Sequence, residues 1–334
     1  VGNNPAWRGD CRPGRNHPRI LEGAKSMKAI RVQQYGGVEQ LRYDEVPDPS
    51  PDTGQVLVRV RAASVNPIDF KLGSGAMRDR RPINLPWIPG GDFAGIVENL
   101  GSGITGMKKG DAVFGNTPGG GAYAALLVTP ADFVAPKPPK LSFPEAASVP
   151  LAAQTAWQGI FEHGQLQSGQ TILIHAAAGG VGSFAVQFAH WKGARVLATA
   201  SADNADYVRS LGADQVIDYR ATRFETVAKN VDVVFDLMGG DTQTKSFGVL
   251  KPGGYLIALN QPPSQETATK LKVHAMLMGM KPNSKRLSEI AALLDSGKVK
   301  TLVSKIVPLP EAKEAWKQSM SGHTRGKIVL QVPG

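Results

Sequence analysis

The stretch Thr171-Ile172-Leu173-Ile174-His175-Ala176-Ala177-Ala178-Gly179-Gly180-Val181-Gly182-Ser183-Phe184-Ala185-Val186-Gln187-Phe188-Ala189 decides the fold. Its apolar opening predicts a buried strand, its glycines a tight turn, and its spaced apolar residues a helix. In such a unit the glycines let backbone approach a pyrophosphate closely, and the free N–H groups at the helix start, aided by the helix dipole, hold its charge. The spacing Ala177-x-Gly179-x-x-Gly182 carries Ala at its first position, and glycine turns elsewhere serve packing alone. The strand before and the helix after make a dinucleotide site the leading reading.

Outward from this unit the text alternates between strand and helix. Strands are expected at Thr171 to His175, Arg195 to Ala200, Gln215 to Asp218, Val231 to Asp236 and Tyr255 to Leu259, separated by helical segments, as a doubly wound parallel sheet requires. From Met27 to about Pro150 the pattern is instead β-rich. Gln55-Val56-Leu57-Val58-Arg59-Val60-Arg61-Ala62 alternates apolar with polar, and glycine clusters punctuate the strands. After residue 283 come a helix at Ser288 to Leu294, a strand near Val303 to Val307, a helix from Glu311 and a last strand, Lys327 to Val332. Pattern alone does not say which sheet these late elements join.

With 334 residues, 42% hydrophobic and 20% charged, the chain suits two globular cores. No apolar run approaches the roughly 20 residues of a spanning helix, and no secretory layout opens the chain, so a cytosolic enzyme is expected. Cys11 is the only cysteine, which leaves no intramolecular disulfide and no multi-cysteine zinc site. The six histidines lack ligand spacing, so no metal is expected. The formal charge of +10 is spread without a dense basic block, so no nucleic-acid partner is expected either. Residues 1 to 26 carry Arg8, Arg12, Arg15, Arg19 and Lys25 with three prolines and no hydrophobic period. They read as a disordered tail, either dispensable or the product of an upstream start codon, with a transit peptide as the alternative that the prolines and scarce serine oppose.

In a site of this kind, a carboxylate at the end of the second strand binds the adenosine ribose and repels a 2′-phosphate. About 20 residues past the glycines stands Ser201 instead. Its hydroxyl can bond a phosphate, and Arg209, Tyr219 and Arg220 are near enough in sequence to add donors, which favours NADPH over NADH. A strand two residues longer would give the position to Asp203 and reverse that choice.

Seven motifs occur in order: Ser64-Val65-Asn66-Pro67-Ile68-Asp69, Pro89-Gly90-Gly91-Asp92-Phe93-Ala94-Gly95, Lys109-Gly110-Asp111-Ala112-Val113-Phe114-Gly115, Gln154-Thr155-Ala156-Trp157, Ala177 to Gly182, Leu211-Gly212-Ala213-Asp214, and Arg325-Gly326-Lys327-Ile328-Val329-Leu330. Together, from Met27 onward, they resemble the medium-chain dehydrogenase/reductase superfamily, in its zinc-free quinone oxidoreductase (zeta-crystallin-like) branch. The resemblance implies an α/β fold with a GroES-like β domain (27–150 and 284–334) and a Rossmann NADPH-binding domain with a doubly wound parallel sheet (151–283). It also implies a ligand cleft between them and pairing into a homodimer. Zinc-dependent members carry Gly-His-Glu where this chain has Gly90-Gly91-Asp92. Without a Lewis acid, hydride transfer suits an electron-poor acceptor, a quinone or an α,β-unsaturated carbonyl.

By the same resemblance Asn66 and Lys71 face the acceptor, Asn66 orienting its oxygen and Lys71 donating a hydrogen bond or proton as negative charge develops. Many quinone reductases have Tyr where Lys71 stands, and an Arg where Gly73 stands. Thr155, Ala178, Gly179, Gly180, Val181, Gly182, Ser201, Tyr219, Leu259 and Lys327 are the implied cofactor contacts. Thr155 also suits a helix-start cap, and Asn204 replaces a phosphate-binding lysine of some relatives. Asp69, Asp92 and Asp236 read as loop ties, and His175 as a satisfied structural residue. An enoyl-thioester reductase of the same fold and a non-enzymatic NADPH- or RNA-binding protein are the rival readings.

Overall fold

A computed structural model describes residues 25–333, and nearly all of the tail read over 1–26 lies outside them, Cys11 and His17 included. Strands β1 (Ser26–Val32) and β2 (Leu41–Pro47) open the described chain as an antiparallel pair. The alternating stretch from Gln55 forms β3 (Gln55–Ser64), which bends at two register shifts. Then follow α1 (Pro67–Gly73), β4 (Asp92–Leu100), β5 (Ala112–Asn116), β6 (Leu126–Pro130), β7 (Val134–Pro136) and the short α2 (Phe143–Ala147). β3 pairs antiparallel with both β4 and β6 and buries Val56, Val58 and Val60 completely.

Helix α3 (Pro150–Trp157) leads into a second sheet. In chain order come β8 (Thr171–Ile174), α4 (Gly180–Trp191), β9 (Arg195–Ala200), α5 (Ala205–Ser210), β10 (Gln215–Asp218), α6 (Phe224–Val227), β11 (Val231–Asp236), α7 (Gly240–Ser246), β12 (Leu250–Ala258), α8 (Gln265–Leu271) and β13 (His274–Leu277). The strands pair in parallel in the order β10-β9-β8-β11-β12-β13. Ile172, Leu173 and Ile174 are all inaccessible, as befits a parallel strand covered by helices on both faces. The chain winds one way from β8 to β9 and the other way to β11, and this reversal opens a crevice at the carboxyl ends of β8 and β11.

Last come α9 (Ser284–Asp295), β14 (Val303–Pro308), α10 (Ala312–Met320) and β15 (Lys327–Gln331). β15 runs antiparallel to β3, with Val329 opposite Ser64, and β14 lies parallel beside β15. The late strands thus belong to the first sheet and carry Lys327 to its junction with the second.

Three local expectations need correction. The strand expected at Tyr255 to Leu259 begins earlier, at Leu250, because β12 is irregular where it runs beside β11. β13 was not anticipated: it is four residues long at the sheet edge, and three of the four are exposed, which erases the apolar signal. Thr155 lies inside α3, not at its start, because Pro150 opens that helix.

Candidate active site

The glycine turn is built by packing as much as by ligand chemistry. Helix α4 starts at Gly180, and its first intrahelical bond runs from Ser183 N to Gly179 O at 2.9 Å. The N–H groups of Gly180, Val181 and Gly182 therefore precede the helix ladder and point out of its start. A Cβ on Gly182 would lie 2.4 Å from Ala176 O and 2.7 Å from Ala177 Cα, so only glycine lets α4 sit so close to the end of β8. A Cβ on Gly179 would meet nothing nearer than Ala176 O at 3.4 Å, leaving an open cradle in front of the helix. The left-handed residue of the turn is Ala176, with φ +50°. Free amides, open space and the helix dipole fit a pyrophosphate.

At the far end of this cradle, β9 stops at Ala200, which places Ser201 and not Asp203 at the strand terminus. Ser201 Oγ accepts from Asn204 Nδ2 at 3.0 Å, and Asn204 Oδ1 accepts from Arg325 Nε at 2.6 Å. A second guanidinium nitrogen of Arg325 donates to Asp203 O at 2.9 Å, and the group lies 5.4 Å from the Tyr207 ring centroid. Arg209 is instead paired with Asp206 on the exposed side of α5, and Arg220 lies over the Tyr219 ring. Tyr219 is 56% exposed, beside the end of β9, where its N–H donates to Ala200 O. Sequence reasoning missed Arg325 as the basic group at this end. It was visible only as part of Arg325-Gly326-Lys327, 121 positions from Asn204.

On the other side of the glycine turn lies a buried polar network. Pro67 sets the first turn of α1, and a capping box closes it, with Asn66 N donating to Asp69 Oδ2 at 2.9 Å. Asn66 Nδ2 donates to Asp92 Oδ2 at 2.8 Å, while Asn66 Oδ1 accepts from Lys327 Nζ, which also donates to Val65 O at 2.9 Å. Asp92 further accepts from Ser64 Oγ, Asn116 Nδ2 and Leu151 N. Asn66 is 2% exposed, so its amide is committed to Lys327 and Asp92 and is not presented to an acceptor as expected from the sequence.

Burial dominates the charges here. It pushes the Asp69 carboxyl up to about 7, against hydrogen bonds from Asn66 N and Tyr123 OH that favour ionisation. It also raises the Tyr123 phenol well above its ordinary value and lowers the Lys327 ammonium, which Asp92 and Asp69 partly support. Asp69 and Asp92 do tie loops, as expected, and both also face Lys327.

Lys71 is exposed, and its Nζ donates to Asn260 Oδ1 at 3.4 Å, reaching from α1 to the residues after β12. Asn260 is itself held by Leu237 O at 2.7 Å. Leu259, half-buried, donates its N–H to Asp236 O. Thr155 is buried and spends its hydroxyl hydrogen on Leu151 O at 2.6 Å, which leaves the oxygen as an acceptor. Asp236 accepts from Met238 N, Gly239 N and Gln243 Nε2, a loop tie. His175 bonds Thr199 Oγ1 and Ser246 Oγ, and burial holds its pKa down at about 4. Neither residue is free to react.

Among the described residues, no group of three or more His, Cys, Asp or Glu side chains is placed to hold a metal ion, and no helix is long and apolar enough to cross a membrane.

The parallel sheet with its free-amide glycine turn, joined at Gly179 and Gly326 to the largely antiparallel first sheet, is the architecture of a dehydrogenase/reductase that binds a nicotinamide cofactor. Residues 52–139 match the alcohol dehydrogenase GroES-like domain and residues 211–330 the zinc-binding dehydrogenase domain. The quinone-oxidoreductase QR1, chloroplastic, of Triphysaria versicolor is 34% identical over 92% of this chain and 99% of its own length. The NADPH-dependent alkenal/one oxidoreductase, chloroplastic, of Arabidopsis thaliana is 35% identical, covering 92% and 80%. The structure of the quinone oxidoreductase from Coxiella burnetii superposes with TM-score 0.86 at 35% identity, covering 92% of this chain and all of that one. The chain belongs to the quinone oxidoreductase branch of the medium-chain dehydrogenase/reductase superfamily. Two of these relatives carry chloroplast names, so the cytosolic expectation gains no support from them.

Proposed function

We propose that this chain is a zinc-free, NADPH-dependent reductase of quinones or α,β-unsaturated carbonyl compounds. The observation that carries the cofactor choice is the Ser201–Asn204–Arg325 chain at the end of β9, which sets a hydroxyl, an amide and a guanidinium where a carboxylate would exclude a 2′-phosphate. The acceptor class is supported by relatives named for quinones and for alkenals and enones. A single cysteine and the full engagement of Asp92 support the zinc-free reading.

The amides of Gly180, Val181 and Gly182 hold the pyrophosphate, with Ala178 and Gly179 lining the turn. Thr155 and Leu259 face the nicotinamide half, Lys327, expected from the sequence as a cofactor contact, instead braces the phosphate turn from beneath, and Tyr219 lies against the adenosine end. The bound cofactor supplies the hydride. Lys71, the exposed cation at the cleft, stabilises the oxyanion that develops on the acceptor and shares its proton with it. Asn66 acts from below, holding α1 and therefore Lys71 in place. The proposal includes a homodimer, supported by the outer edge of β13, where Met276 and Leu277 are each 37% exposed.

The test follows absorbance of NADPH and NADH separately, against quinones, small enones and an enoyl thioester, with chelator present. Oxidation of NADPH in preference to NADH by quinones or enones, insensitive to chelator, is expected. Metal dependence, or activity with simple alcohols alone, overturns the reading, and a thioester-only enzyme transfers it to the acyl class.

A further inference from the structure

Three consecutive residues, Arg325, Gly326 and Lys327, touch three separate parts of the site. Arg325 holds Asn204 and Asp203 at the ribose end. Gly326 N donates to Ala178 O at 3.1 Å and pairs with Gly179 in the phosphate turn. Gly326 has φ +67°, and a Cβ there would lie 2.5 Å from Leu302 O, so the crossing demands glycine. Lys327 then passes under the turn: a Cβ on Gly180 would lie 2.7 Å from its Cδ. Its ammonium ends on Val65 O and Asn66 Oδ1, at the start of α1.

We propose that Lys327 is a positioning residue that fixes the acceptor loop, Asn66 to Lys71, against the phosphate turn, so that cofactor and acceptor are held in register by one side chain. This rests on the function proposed above for its kinetic consequences, though not for its structural ones.

The chemistry of the contact supports a role beyond stability. Lys327 is 6% exposed, and among the described residues no carboxylate oxygen lies within ion-pair distance of its nitrogen. By hydrogen bonds the ammonium reaches Asp92 through the Asn66 amide, and Asp92 and Asp69 otherwise act on it only at longer range. A buried ammonium so placed is costly compared with an apolar side chain of the same length. What it provides is direction. Asn66 cannot turn without breaking its bond to Lys327 or to Asp92, and the capping box with Asp69 makes the orientation of α1 follow Asn66. Lys71, one turn further along α1, takes its place over the cleft from that orientation.

The experiment compares wild type with Lys327→Met, Lys327→Ala and Asn66→Ala. Hydrogen exchange is read over residues 66–73 and over α4, NADPH affinity by calorimetry, and kcat and KM with 1,4-benzoquinone. In Lys327→Met the amides of 66–73 are expected to exchange about tenfold faster or more, while those of α4 stay unchanged. NADPH affinity is expected to stay within about threefold, and kcat/KM for benzoquinone to fall about tenfold or more. Methylammonium added to Lys327→Ala is expected to restore part of both the protection and the rate, which a generally loosened fold would not show. Should Lys327→Met fail to fold, Asn66→Ala, which keeps the ammonium on Val65 O, reads the same exchange and the same kinetic split. Unchanged exchange over 66–73, or a loss residing wholly in NADPH affinity, overturns the proposal. A wild type that binds no nicotinamide dinucleotide and reduces no acceptor defeats the proposed function instead, and the exchange pattern still decides the role of Lys327.

Discussion

Arg325 Nε donates to Asn204 Oδ1 at 2.6 Å, joining the segment that leads into β15 of the first sheet to the loop after β9 of the second. Asn204 in turn donates to Ser201 Oγ, so one cation reaches the ribose end through a single amide. If that end reads a 2′-phosphate, removing the cation must cost affinity for NADPH and leave NADH almost untouched. Arg325→Ala is expected to raise KM for NADPH about tenfold to a hundredfold, the range of a lost charge-assisted hydrogen bond. Steady-state kinetics with each cofactor check this, and an equal loss with both would mean that Arg325 only braces the loop.

Ser201 tests the same end from the opposite side. It is 8% exposed at the terminus of β9, so a carboxylate in its place would point where the ribose hydroxyls bind. Ser201→Asp is expected to shift the ratio of kcat/KM toward NADH by about tenfold or more. No shift would show that Tyr219 or Arg325 alone reads the ribose.

What could be read in advance was local. The strand, turn and helix from Thr171 to Ala189 lie within one unit, and the apolar text shows as buried residues at Ile172 to Ile174 of β8 and Gly182 to Ala189 of α4. Ser201 was legible for the same reason, because the end of β9 lies a fixed distance beyond the glycines. Arg325 was not, since no linear signal tells that a residue in the loop before β15 returns to the loop after β9. The acceptor side failed differently. Asn66 was found by motif, yet its amide is consumed by Lys327 and Asp92, partners brought by β15 and β4 from distant sequence. Tyr123 and Asn116 completed that network with no motif to mark them. Thr155 was misplaced by a few residues because Pro150 starts α3 earlier than its alanine-rich text suggests.

Gly182 separates packing from phosphate binding. A methyl there would press on backbone, Ala176 O and Ala177 Cα, which cannot rotate away. Gly182→Ala is expected to cost about 1–3 kcal/mol of stability and to push the start of α4 off the cradle. Gly179→Ala has more room, its nearest neighbour being 3.4 Å away, and is expected to weaken NADPH binding with little change in thermal midpoint. Melting curves with and without cofactor distinguish the two, and equal melting losses would refute the division.

Asp69 and His175 give the protein two opposed pH dependences. Buried Asp69 titrates at about 7 when folded, against an ordinary 3.8, so the folded state keeps a proton that the unfolded chain has released. Its contribution to stability is full below about pH 4 and is lost as the pH rises through 7. His175 titrates at about 4 when folded, against 6.5, because burial disfavours its charge despite Asp236 nearby. Its contribution is present above pH 6.5 and lost as the pH falls through 4. Each is on the order of a few kcal/mol, and between pH 4 and 6.5 they largely cancel. Asp69→Asn keeps an oxygen for Asn66 N and removes only the first. Its thermal midpoint is therefore expected to climb from pH 4.5 to 6.5, while that of the wild type stays nearly level. Asp69 lies in α1 beside the first sheet and His175 just beyond β8 of the second, with no hydrogen-bond partner in common, so the effects should add. Parallel curves for the two proteins would mean that Asp69 is ionised in the folded state across this range.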